Sequence, residues 1–138
     1  MKNQLFALIG LGLLLATASA YAQTGVVKAN VPFNFIVNNT DLPAGAYTLQ
    51  NLGTVGAAMM IRSSDSKVVN GFLPNTCESY TVPEVSKLVF HRYGSQYFLT
   101  QIWTAGNSRG RELPKSGRER EVAMDYTSQD VVVVATLR

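Results

Sequence analysis

Lys87-Leu-Val-Phe-His-Arg-Tyr-Gly94-Ser95-Gln-Tyr-Phe-Leu-Thr-Gln-Ile-Trp-Thr104 holds the strongest structural signal in the chain. Two β-rich runs flank Gly94-Ser95, and glycine at the first central position of a two-residue loop suits the twist of a hairpin. The spacing predicts the cross-strand pairs Tyr93–Gln96, Arg92–Tyr97, His91–Phe98, Phe90–Leu99, Val89–Thr100 and Leu88–Gln101. Leu88, Phe90, Leu99 and Trp103 then share one face, the better core candidate. His91, Phe98, Val89 and Ile102 share the other. Both faces are partly apolar, which predicts a central hairpin covered on both sides.

Outward from the hairpin, short strand signals alternate with turn signals. Residues 26–37 read as two strand segments split by Pro32, with Phe33, Phe35 and Val37 at the period of a half-buried strand. Asn38-Asn39-Thr40-Asp41 and Pro43-Ala44-Gly45 are turn chemistry. Residues 47–52, 57–62 and 67–73 are further strand candidates, with a loop at 63–66. Ser116 and Glu119 have capping-box spacing and predict a short helix near 116–125. So short a helix must dock through Leu113 and Val122, with Met124 and Tyr126 as further candidates. Residues 131–135, Val-Val-Val-Val-Ala, predict a last strand buried on both faces. The fold class expected is all-β: a small β-sandwich or barrel of about seven or eight short antiparallel strands with one short helix.

Residues 1–22 read as a signal peptide that is removed. Lys2 supplies the charged start, residues 5–16 the apolar run, and Ala20-Tyr21-Ala22 the cleavage signal. The apolar run is shorter than the roughly 20 residues of a membrane span. Residues 23–138 are then one β-rich domain, expected to be soluble in the periplasm or outside the cell. The chain has twelve basic and nine acidic side chains, and Lys2 leaves with the leader. So small an excess predicts no nucleic-acid partner. No second long apolar segment predicts a membrane span. An outer-membrane barrel would need about eight strands of about ten residues, longer than the apolar segments here.

Candidate chemistry is sparse. His91 is the single histidine, so any Ser-His-Asp or Cys-His mechanism must use it as base. Its place opposite Phe98 favours a partly exposed cross-strand pair. Cys77 is the single cysteine; no cation stands near it to activate the thiol, and Glu78 opposes ionisation. A disulfide through Cys77 could only be intermolecular. Gly106-Asn-Ser-Arg-Gly110 lacks the Lys-Ser/Thr ending of a phosphate loop. Arg109, Arg111, Lys115, Arg118 and Arg120 interleave with Glu112, Glu119 and Glu121, the pattern of a solvated, mutually paired surface. Asp125 and Asp130 lack calcium-ligand spacing. Tyr80, Tyr93, Tyr97 and Trp103 suggest packing before they suggest a sugar-stacking surface. No catalytic, cofactor-binding or metal-ligating residue is assigned, and no cofactor is expected.

Val31-Pro-Phe-Asn-Phe-Ile-Val37 followed by Leu42-Pro-Ala-Gly-Ala-Tyr47 resembles a pattern of small exported bacterial proteins of uncharacterised function. Residues 88–94, 101–103 and 113–116 are similar to the same group. The resemblance implies an exported β domain and supplies no activity. The function expected is a non-catalytic binding or envelope structural module. The alternatives are a small hydrolase with His91 as general base and a carrier of a small apolar ligand.

Overall fold

The computed structural model describes residues 26–52 and 58–137, and these described residues form eleven strands and one helix. The strands are β1 (Val26–Val31), β2 (Phe35–Val37), β3 (Thr40–Leu42), β4 (Gly45–Leu52), β5 (Ala58–Ser63), β6 (Val69–Phe72), β7 (Asn75–Glu78), β8 (Ser86–Tyr93), β9 (Gln96–Trp103), β10 (Arg109–Glu112) and β11 (Gln129–Leu137). The helix, α1, spans Gly117–Asp125. The expected leader lies outside the described residues, as does the start of the 57–62 strand.

One sheet runs β6-β5-β4-β1-β11-β8-β9. The far edge of β9 is shared: β2 pairs with it in parallel at Phe98, and β10 pairs antiparallel at Gln101 and Ile102. Beyond these lie β3 and β7. The result is an open, curled half-barrel, with more strands than expected and one parallel pairing. It is neither a two-sheet sandwich nor a barrel closed by strand pairing.

Period-2 alternation fills the concave side. Val27 faces Leu49 and Leu49 faces Ile61 across three strands, and all three are fully buried. Phe35, Leu42, Tyr47, Phe72, Leu88 and Phe90 join the same core. The VPFxFxV and LPAGxY residues therefore have packing roles. Phe35 meets Tyr47 edge-on, Tyr47 donates its hydroxyl hydrogen to the Pro43 carbonyl, and Asn34 accepts from the Ala44 amide. Asn38 and Asn39 both have positive φ, the twist-matching form of a two-residue hairpin turn. Thr40 and Asp41, expected in the turn, instead begin β3.

The central hairpin holds its expected register from Tyr93–Gln96 to Phe90–Leu99, and Gly94 has φ +62°. Past that point a bulge shifts it. Thr100 is the extra residue, its hydroxyl bonded to the Val89 carbonyl. Leu88 consequently faces Ile102, not Gln101, and Lys87 faces Trp103. The bulge lets Leu99 and Ile102, three residues apart, enter the same core.

The outer face of the hairpin is covered by α1. Val122 and Ala123 pack on Ile36, Tyr93 and Phe98, a second small core on the opposite side of the sheet. Leu113 turns into the main core, whereas Met124 and Tyr126 stay exposed and do not dock the helix. The valines of β11 also correct the expectation. Val131 and Val133 pack inward, but Val132 and Val134 are exposed because nothing described covers that part of the outer face. Strand β10 lies close under Trp103: a Cβ on Gly110 would stand 2.6 Å from the indole ring. Gly110→Ala should therefore cost about 1–3 kcal/mol in urea unfolding. Gly117→Ala, whose new methyl meets nothing within 4 Å, should be neutral or stabilising by under about 1 kcal/mol.

Candidate active site around His91

Alternation along β8 puts His91 and Tyr93 on the same, outer face. The antiparallel ladder then sets Asp130 of β11 directly opposite His91. The third participant comes from above. Ser116 caps α1 by accepting the Glu119 amide hydrogen at 3.2 Å, which fixes Glu119 in the first turn. A capping box would send the Glu119 carboxylate back to the cap. Here it turns down onto the sheet.

Glu119 Oε2 lies 2.9 Å from His91 Nδ1 and accepts the Tyr93 hydroxyl at 2.8 Å. The carboxylate is buried, and a buried charge is tolerated only when paired and hydrogen-bonded. Two donors on one oxygen meet that requirement. On the other side of the ring, Asp130 Oδ1 stands 3.5 Å from Nε2. That is too long for a well-formed hydrogen bond. The His91 side chain is 28% exposed and that of Asp130 70%, so the ring bridges a buried acid and a solvated one. Burial first, and then the bond to and the charge of Glu119, push the Tyr93 phenol up to about 12. The Ser128 hydroxyl opposes that shift in part, and Asp130 adds to it.

This arrangement can orient an imidazole. With its hydrogen on Nδ1 directed at Glu119, the ring presents the Nε2 lone pair toward the surface, the posture of a general base. Both nitrogens face carboxylates rather than a hydroxyl or thiol, so no side-chain nucleophile stands ready. The two acids approach opposite nitrogens. Among the described residues no group of three or more His, Cys, Asp and Glu is arranged to hold a metal ion.

The other sequence candidates fall elsewhere. Cys77 is half-buried in β7 opposite Gly110. Burial, and then the charge of Glu112, raise its thiol against a Gly110 backbone bond that lowers it, which disfavours the thiolate. Arg118 forks onto Asp41 at 3.1 and 3.2 Å, and Arg109 lies 3.6 Å from Glu78. Arg109 and Arg118 of the basic stretch thus pair with acids from β7 and β3. Tyr93, Tyr97 and Trp103 pack, but Tyr80 is fully exposed. The concave side of the half-barrel is filled by the main core. The recess of about 550 Å³ at one end has Val27, Met59 and Ile102 in its lining, alongside Arg109, Arg111 and Asn107. That mixed lining does not suit a purely apolar cargo.

Glu119, Tyr93 and Asp130 were not legible as one site. Hairpin spacing alone puts His91 and Tyr93 on a face, but the β8–β11 register and the seat of α1 are long-range. The raised Tyr93 phenol predicts a pH effect. Stability from this contact is complete below about pH 10, the ordinary phenol value, and is lost as pH rises through about 12. Tyr93→Phe should flatten the fall in urea-unfolding stability over that window; an unchanged fall would contradict the coupling. No family model matches the chain, and comparison with curated proteins and with solved structures finds no match, so no residue here takes a role from a relative.

Proposed function

We propose that this chain is an exported β domain with a hydrolytic site in which His91 is the general base and Glu119 its orienting carboxylate. One observation carries this reading: a buried carboxylate on Nδ1, at 2.9 Å, with Nε2 turned to a partly exposed surface. Water is the nucleophile. It attacks the acyl carbon of an ester or amide and gives a proton to Nε2, and the imidazolium returns that proton to the leaving oxygen or nitrogen. Glu119 stabilises the imidazolium formed in between. The exposed Asp130 carboxylate holds the attacking water beside Nε2. Tyr93, still a donor at neutral pH, holds Glu119 in place. The export assignment is supported by the leader-like residues 1–22.

A second reading, a binding or envelope structural module without catalysis, is favoured by one feature. The same contacts of Glu119 fasten α1 to the sheet at β8. The two readings separate in an esterase and peptidase screen run beside thermal melts. On the hydrolytic reading, His91→Ala lowers kcat/KM by about 10²- to 10⁴-fold. Glu119→Gln gives a smaller loss. An inactive wild type, or activity that survives His91→Ala, rejects the mechanism and leaves the structural role.

A further inference from the structure

On the outer face, away from α1, strand register lines up four polar side chains in one row. Thr136 of β11 faces Lys28 of β1, Lys28 faces Thr48 of β4, and Thr48 faces Arg62 of β5. Each alternates with a core residue: Lys28 lies between Val27 and Ala29, Thr48 between Tyr47 and Leu49. The two cations are two strand spacings apart, about 9–10 Å. Side chains as long as lysine and arginine can close that distance on one anion seated over Thr48.

The row lies in a groove of about 530 Å³. Asn30, Ser64 and Ser66 contribute to its polar lining, Val134 supplies an apolar patch, and no carboxylate is among the lining residues. Among the described residues, neither Lys28 nor Arg62 is paired with an acid, whereas Arg109 and Arg118 both are. Asp65, in the adjoining turn, accepts from the Ser63 hydroxyl and the Lys67 amide. Two cations flanking Thr48 in one groove, with hydroxyls between and around them, match an oxyanion on a hydrogen-bonding scaffold.

We propose that this groove binds a small polyhydroxylated molecule bearing a phosphate or sulfate ester. Lys28 and Arg62 take the ester oxygens, Thr48 donates between them, and Asn30, Ser64 and Ser66 meet the hydroxyls. The site is independent of His91.

The test is titration of 15N-labelled protein with inorganic phosphate, sulfate, glucose 6-phosphate and glucose, followed by amide shifts. Saturable shifts are expected at Lys28, Thr48, Arg62 and Ser64, with glucose 6-phosphate binding tighter than phosphate or sulfate and glucose weakest. The Lys28→Met/Arg62→Met variant should weaken glucose 6-phosphate binding about tenfold or more. The charge-keeping Lys28→Arg/Arg62→Lys exchange should stay within about threefold, and His91→Ala should change nothing. Both altered positions project from the outer face, and a melt checks that each variant is folded. Shifts that do not saturate, that survive loss of both cations, or that appear equally with glucose alone overturn the anion site. Equal affinity for glucose 6-phosphate and inorganic phosphate overturns the polyol part.

Discussion

A carboxylate buried between a helix and a sheet constrains its surroundings more than any apolar contact does. A carboxylate out of water needs hydrogen-bond donors, and those of Glu119 come from alternate residues of one strand. That requirement fixes the height of α1 over β8, on the face that strand alternation gives His91 and Tyr93. It also explains why the cap at Ser116 is one-sided: the backbone half of a capping box is kept, and the carboxylate half is spent on the sheet. The helix has little apolar surface of its own, with only Val122 and Ala123 packed on the second core. Polar anchoring therefore complements a contact that burial alone would hold weakly.

The sheet beneath must be rigid for this to matter. Leu88 and Phe90 fill the concave side while His91 and Tyr93 stand on the other, so the strand that carries the candidate base is locked by the main core. The bulge at Thr100 serves the same end. It twists β9 so that Leu99 and Ile102 both reach the interior, and it leaves Phe98 outward beneath α1. The outer face is thus divided. Its β8–β9–β2 part is roofed and carries the imidazole, and its β11–β1–β4–β5 part is open and cationic.

What could be read from the sequence was local. Gly94-Ser95 set the hairpin, Asn38-Asn39 a second turn, and Ser116 with Glu119 the helix start, because each acts over a few residues. The bulge was not readable, since the choice of Thr100 as the extra residue depends on what the core accepts from Leu99 and Ile102. Strands β7 and β10 were hidden for a related reason. Asn75–Glu78 and Arg109–Glu112 lack β-branched periodicity and are strands because they pair with each other and with β9. The valines of β11 looked buried on both sides, but only the side toward the core is filled. At the site, His91 stood out by its rarity. Glu119 looked like a cap partner and Asp130 like an acid without ligand spacing, because only tertiary register brings them to the ring.

The most direct measurement is the tautomer of His91 in its neutral form, read from long-range 15N–1H couplings of the imidazole. A hydrogen on Nδ1, lost as the dominant tautomer in Glu119→Ala, is what the Glu119 contact requires. A hydrogen on Nε2, or a tautomer balance indifferent to Glu119, would contradict the claim that this carboxylate organises the site.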